Sequence, residues 1–428
     1  MRSYSPVIQT LVQSAVVLCG VCCLFVREGA AADDERDFHC RGSLGTRPVF
    51  SPNGRWLLAG GSERNGSIGT VSVWDSQTSK LVSNFKPHAI ETSTVVFSQE
   101  GEWLITAGAD TAFHVWSVHP RPTPKTGLLS LARTLQHYTL PASRVGPGQF
   151  AQVTGGTKVA ISPSSREFAS YAMYDDNTPT TSLSSRKHHR SIKIWAIPNG
   201  APSSTSASDA DSELHPGPGP KPRLTIPVTQ SLLMLAYSPD GKTILAGFIS
   251  DQIPGGRKRP EIQFIDVETG VLRDTWTFNG DESDGQTLGG ALQFSPDGTN
   301  LLVCFSGKPT VSVWQVEPKR LVWSSKIWNG WSDAAFSPDG KFLALAARHQ
   351  EVQLLQLPEF KLVSVGVIPS VFGTSLTFSR DSKSLLVHWE RDTIKQFSVE
   401  DLISKKRWGL DQKAYRTVGE TRQPLVVP

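Results

Sequence analysis

The sequence predicts an all-β protein, a ring of seven four-stranded antiparallel blades packed as a β-propeller. Three observations carry this expectation. A turn phrase recurs seven times: FSPNG at Phe50, FSQEG at Phe97, ISPSS at Ile161, YSPDG at Tyr237, FSPDG at Phe294 and Phe336, and FSRDS at Phe378. An apolar run and then an alternating run follow each copy. The starts are separated by 47, 64, 76, 57, 42 and 42 residues, and the two shortest intervals match the period of about 40–45 expected of propeller blades.

Within each copy the elements read in a fixed order. An apolar first strand ends at the turn phrase, whose Pro and Asp/Asn-Gly residues supply the backbone angles of a tight turn. A second, continuously apolar strand follows, as in Trp56–Ala59, Trp103–Thr106, Leu301–Phe305 and Phe342–Ala346. The third strand alternates apolar and polar residues, the pattern of a half-buried strand. It reads VSVW ending at Trp74, FHVW at Trp116, IKIW at Trp195, IQFI at Ile265, VSVW at Trp314, VQLL at Leu355 and IKQF at Phe397. Fourth strands come next in most copies, such as Leu81–Phe85, Val271–Phe278 and Leu321–Ser325. Such sheets cannot bury both faces alone, but they can when packed radially. The longer intervals carry insertions of loop composition. The Ser/Pro/Gly-rich stretch 199–222, between third and fourth strands of the third copy, is expected to be disordered.

The pairing of FSPDG-type turns with VSVW-type strands, seven times over, resembles the WD-repeat β-propeller family across roughly residues 36–403. Trp74-Asp75 is the one literal WD dipeptide. The resemblance implies a complete structural hydrogen-bonding tetrad in the second copy alone, made of His88, Thr106, Asp110 and Trp116, the other copies having lost part of the set. It also implies that a strand from one terminus closes the last blade, which removes an exposed edge. Asp37–Arg41 is the favoured donor and Ala414–Val418 the competing one. The expected layout is a signal segment 1–32, a propeller 33–405 and a C-terminal tail 406–428.

The N-terminus reads as a targeting segment. Arg2 precedes an apolar stretch from Leu11 to Val26, then Ala30, Ala31 and Ala32, then acidic Asp33, Asp34 and Glu35. This is the pattern of a cleaved secretory signal, with cleavage after Ala32, and the apolar run is shorter than the roughly 20 residues of a membrane span. The expectation is a secreted or periplasmic protein without a membrane span after cleavage, with an uncleaved anchor as the alternative. Cys40 and Cys304 would be the cysteines of the mature chain, and Cys304 sits in an apolar run that suits a buried inert thiol.

Charge and composition narrow the function classes. A formal charge of +4 on 428 residues implies no general affinity for nucleic acid, and 38% hydrophobic residues with a single long apolar run exclude a multi-span membrane protein. Gly241-Lys242-Thr243 mimics the end of a phosphate-binding loop but sits in a propeller turn, with Ala236 where that motif needs its first glycine. Adjacent His188 and His189 make a poor chelate on an extended chain. The acidic loop of Asp281, Glu282 and Asp284 lacks the spacing of a calcium loop. No metal, no cofactor and no catalytic residues are expected.

Function is therefore sought in the loops. In WD-repeat propellers the FSPDG-type turns lie on one face, and the loops between second and third strands lie on the other, the top. Two adjacent top loops are basic. One runs from Tyr174 to Ser191 with Arg186, Lys187, His188, His189 and Arg190; the next runs from Ser250 to Pro260 with Arg257, Lys258 and Arg259. Trp328 and Trp331, in KIWNGWSD, are expected in a loop on the same face as interface anchors, with Trp389 as a companion from the seventh copy; the alternative is that they plug the space between blades. The resemblance implies a monomeric ring that offers this face to an unidentified protein partner. An anionic polysaccharide is the alternative ligand, and a propeller hydrolase or lyase the remaining class.

Overall fold

The structure is a computed structural model that describes residues 36–39, 43–63, 68–123, 127–137, 157–175, 188–198, 221–250, 259–278, 290–305, 310–326, 330–347, 351–368, 374–388 and 393–409. The expected signal segment and the greater part of the 199–222 insertion lie outside them.

Strand β1 (Arg36–His39) comes first and belongs to the last blade. Blade one is β2 (Ser43–Leu44), β3 (Val49–Phe50), β4 (Trp56–Ser62), β5 (Gly69–Asp75) and β6 (Leu81–His88), its inner strand split into two pieces that both pair with β4. Blade two is β7 (Thr92–Phe97), β8 (Trp103–Gly108), β9 (Ala112–Thr123) and β10 (Gly127–Gln136). Blade three is β11 (Lys158–Ile161), β12 (Glu167–Asp175), β13 (His188–Ala196) and β14 (Leu224–Pro227). Blade four is β15 (Leu232–Tyr237), β16 (Thr243–Ser250), β17 (Arg259–Asp266) and β18 (Leu272–Thr277), and blade five β19 (Gly290–Phe294), β20 (Asn300–Phe305), β21 (Thr310–Gln315) and β22 (Arg320–Lys326). Blade six is β23 (Trp331–Phe336), β24 (Phe342–Ala347), β25 (Glu351–Gln356) and β26 (Lys361–Val367). Blade seven is β27 (Ser375–Phe378), β28 (Ser384–His388), β29 (Thr393–Ser398) and, as its outer strand, β1. A short helix α1 (Val399–Lys405) and a last strand β30 (Arg407–Gly409) follow.

The sheets are the seven antiparallel blades of a β-propeller, as the repeat predicts. Burial explains the strand patterns. Second strands sit between neighbouring blades and are closed on both faces, so β4 and β8 are buried at every residue. Among the described residues the core forms seven apolar clusters, each shared by two adjacent blades, which is how a ring buries faces that no blade could bury alone.

The N-terminal donor closes the ring. β1 pairs antiparallel with β29, with Phe38 opposite Ile394. Phe38 is fully buried among Leu57, Ala59 and Trp74 of blade one and Leu386 and Ile394 of blade seven. Trp74 donates its indole N–H to the His39 carbonyl at 3.0 Å, so the closing strand is tied to both blades.

The expected tail from 406 is corrected at its start. β30 adds in parallel to the outer edge of β26 and makes blade six five-stranded. Trp408 causes this: it is 8% exposed and its indole packs on Phe397 with ring centroids 4.4 Å apart. It lies over Gly366, where a Cβ would overlap the indole. The competing donor 414–418 lies outside the described residues.

The turn phrase works by side-chain capture of backbone N–H groups. In blade four, Ser238 Oγ accepts from Thr243 N (3.0 Å) and donates to Asp240 Oδ1 (2.5 Å), which also accepts from Lys242 N (3.0 Å). The same pattern recurs around Ser295, Ser337 and Ser379. These hydrogen bonds, the serine hydroxyl's first, hold the carboxyls of Asp240, Asp297 and Asp381 below their ordinary range. The turns also touch along the ring. Gly101 faces Pro52, Gly241 faces Pro163, Gly298 faces Pro239 and Gly340 faces Pro296, each glycine at positive φ. Ser165 and Ser382 replace the glycine in blades three and seven, at φ 55° and 61°. Their hydroxyl oxygens reach the preceding turn, where they accept from Gln99 N and Asp339 N at 3.0 Å.

Candidate functional site

The hairpins between second and third strands of blades three and four are adjacent and long. β12 and β13 pair over nine residues each, out to Asp175 opposite His188. β16 and β17 pair over eight, out to Ser250 opposite Arg259. The strands thus reach further into the expected loops than the sequence suggests, and residues 176–187 and 251–258 lie outside the described ones. His188, His189, Arg190 and Arg259 belong to strands, while Arg186, Lys187, Arg257, Lys258 and Trp328 lie outside the described residues, as do Trp389 and the acidic residues Asp281, Glu282 and Asp284. His189 is exposed. Arg190 is half-buried and fixed: Nη1 donates to the Thr229 carbonyl at 2.6 Å and Nε points at Met173 Sδ at 2.9 Å. Arg190 therefore bridges blade three to the strand-entry segment of blade four.

Trp331 requires a correction. It is the first residue of β23, fully buried in the cluster between blades five and six, with its indole N–H on the Ser325 carbonyl at 3.3 Å. Apolar contact between blades, not a surface role, explains its place.

Two hydrogen-bonded networks stiffen the blades next to this site. In blade two, His88 contacts Asp110 Oδ1 and Thr106 Oγ1, both at 3.1 Å, and Trp116 donates to Thr106 Oγ1 at 3.1 Å. Asp110 also accepts from Ala89 N and Ala112 N. Burial raises the Asp110 carboxyl, but the His88 contact and the backbone N–H groups outweigh it and hold it below the usual range. Blade three carries a related set that the spacing hides. His137 contacts Ser170 Oγ (3.0 Å) and Ser191 Oγ (3.1 Å), and Trp195 donates to Ser170 Oγ at 2.8 Å. Ser170 stands two residues after Phe168, the partner of Trp195, as Thr106 stands two after Leu104, the partner of Trp116. The third copy therefore keeps three of the four members, a set that has lost part of its residues as expected of copies other than the second. Burial lowers the pKa of His137 to about 3, with Lys193 adding to the effect.

The central channel holds a further buried charge. Asp333 in β23 accepts from Leu376 N at 2.8 Å and pairs with Arg47, which reaches from blade one past blade seven. Burial pushes the Asp333 carboxyl up and Arg47 pulls it down, with the net direction upward. Cys304, fully buried in β20, is a free thiol whose pKa burial raises. Among the described residues no group of three or more His, Cys, Asp or Glu side chains could hold a metal ion, and no helix is long and apolar enough to cross a membrane.

Sequence comparison agrees with the blade architecture. The family model for the WD domain, G-beta repeat, matches residues 79–117, which run from the β5–β6 turn through the blade-two tetrad. The chain is a seven-bladed β-propeller with a WD-repeat match over residues 79–117. WD repeat-containing protein 91 of Bos taurus is 28% identical over 121 residues, covering 28% of this chain and 14% of that protein. The Pongo abelii and Gallus gallus proteins of the same name are 26% and 28% identical over 121 residues, covering 15% and 14% of their lengths. The aligned 121 residues span about a seventh of each relative's length.

Proposed function

We propose that this WD-repeat propeller is an exported, non-catalytic platform that binds a protein partner through its top face, as a monomeric ring, after signal cleavage following Ala32. The contact is carried by the segments holding Arg186, Lys187, His188, His189 and Arg190 and holding Arg257, Lys258 and Arg259, with Trp328 as an anchor. The observation that supports this reading is the side-by-side placement of two long hairpins on adjacent blades, with Arg190 fixed at their base. Side chains on a rigid scaffold bind without a large ordering cost. Basic groups also attract an acidic partner and speed its encounter, with strong salt dependence.

The test compares mature wild-type bait with a variant in which Arg186, Lys187, Arg257 and Lys258 become Glu. Arg190 is left alone because it serves the blade junction. Crosslinking capture from the exported fraction should retain a partner with wild type and lose it with the variant. Capture that survives the reversal would remove the basic segments from the interface. N-terminal sequencing of the exported protein should begin at Asp33.

A further inference from the structure

A cleft of about 660 Å³ lies between blades four and five on the side of the SPDG turns. That size falls in the range of about 300–1,000 Å³ typical of ligand sites. Its wall is Trp276 of β18, 4.8 Å from Phe264 by ring centroids and hydrogen-bonded to Asp274 through the indole N–H at 2.8 Å. Over the ring sits a cation, the Lys319 ammonium, 4.6 Å from the centroid.

Comparison with the neighbouring junctions shows what is unusual here. Between blades five and six, Phe360 stacks on Trp323 at 5.0 Å with planes 6° apart. Phe360 immediately precedes Lys361, the partner of Gln356; Lys319 likewise precedes Arg320, the partner of Gln315. So Lys319 stands where blade six has Phe360. Between blades three and four, Arg223 fills the junction, bonded to Glu167 at 3.1 Å and to the Val267 carbonyl at 2.9 Å. The junction of blades four and five has instead an exposed lysine with a four-carbon stem, and the space around it stays open.

The charges of this cleft favour a second cation. Asp240, Asp274, Asp297 and Glu317 line it against two basic residues, Arg273 and Lys319. Arg273 is already engaged by Asp266, so it offers little free positive charge. Glu317 is exposed at the mouth. An aromatic face that already receives an ammonium, bordered by excess carboxylate, suits a guanidinium better still, because a planar cation stacks as well as pairs.

We propose that this cleft docks an arginine-bearing extended segment of a protein partner, whose guanidinium replaces Lys319 over Trp276. The site is independent of the top-face reading, and its probes leave that face unchanged. A fluorescein-labelled hexapeptide of three Gly-Arg repeats is titrated by fluorescence polarisation, beside the same peptide with citrulline for arginine. Wild type should bind the arginine peptide and not the citrulline one. Glu317→Arg should weaken binding about tenfold, and Lys319→Ala should strengthen it several-fold, roughly the scale of one cation–π contact or close charge pair. Glu359→Arg reverses an exposed charge on the corresponding turn of blade six and should leave the affinity unchanged. Equal losses in the two reversals would mean attraction to bulk charge and overturn the site. Absence of binding by wild type, equal binding of citrulline, or an unchanged Lys319→Ala affinity would each overturn it too.

Discussion

At the scale of single residues, two desolvated histidines work against stability in acid. His137 is 1% exposed and its ring nitrogens are both held by serine hydroxyls, with a pKa near 3. Desolvation and His88 likewise take His114 down to about 4. A base whose folded pKa lies below its unfolded value near 6.5 binds more protons unfolded than folded. Stability is then complete above about pH 6.5 and falls with acidification until the folded pKa is passed, at no more than about 1.4 kcal/mol per pH unit for one histidine. Denaturant unfolding between pH 7 and 4 should show this decline. His137→Gln should flatten it, while itself costing about 1–3 kcal/mol at pH 7 through imperfect hydroxyl contacts. An unaltered slope would assign the acid sensitivity to other groups. The second-blade tetrad was legible in the sequence because its members lie close together, from His88 to Trp116. The third-blade set was not, because long insertions separate His137 from Ser170 and Ser170 from Trp195. The recoverable signal was the register, a hydroxyl two residues beyond the apolar residue that faces the third-strand tryptophan.

At the scale of elements, the strands were legible and two edges were not. Runs such as WLLAG and FLALA, followed by VSVW or VQLL, fix second and third strands through their differing burial. Nothing periodic marks a three-residue strand, so β30 has no signature of its own; its cause is one indole settling over one glycine. Likewise, the strand status of Trp331 depends on a neighbouring blade that a local pattern does not contain. The closing strand β1 and the added strand β30 yield two tests. Phe38→Ala removes the fully buried side chain of the closing strand and should cost about 3–5 kcal/mol. Hydrogen exchange should quicken in β29 before it does in β8, since β29 loses its outer partner; uniform acceleration would argue against a local latch. Gly366→Ala should displace Trp408 and expose the chain after Lys405 to limited proteolysis, leaving the remaining strands of blade six protected. If cleavage there is unchanged, β30 is not held by Trp408.

At the scale of the whole molecule, a ring is stable only if every junction holds, because each blade leans on its neighbours. Among the described residues, inner strands of adjacent blades exchange no ladder hydrogen bonds, and side chains supply the links: Thr94 to the Thr157 carbonyl, Ser332 to Thr374, Thr377 to the Pro48 carbonyl, Asp333 to Leu376 N. Arg47 is different in kind, since it joins blade one to blade six past blade seven and so clasps the closure from inside the channel while β1 clasps it from the rim. Arg47→Ala would leave Asp333, whose side chain is 5% exposed, without its counter-charge. Removing one partner of a buried pair costs about 3–5 kcal/mol, and the lower end applies because Leu376 N still donates to the carboxylate. The pH dependence distinguishes this from a simple packing loss. Burial already raises the Asp333 carboxyl, and losing Arg47 raises it further. A carboxyl with a folded pKa above its unfolded value binds more protons folded than unfolded, so its contribution is present at low pH and lost as pH rises through the folded pKa. The stability gap between wild type and Arg47→Ala should therefore widen from pH 5 to pH 8. Adding Asp333→Asn, which removes the charge and keeps an acceptor for Leu376 N, should recover most of the loss at pH 8. A gap independent of pH, or no recovery in the double variant, would reduce Arg47 to a packing residue and leave β1 as the clasp of the ring.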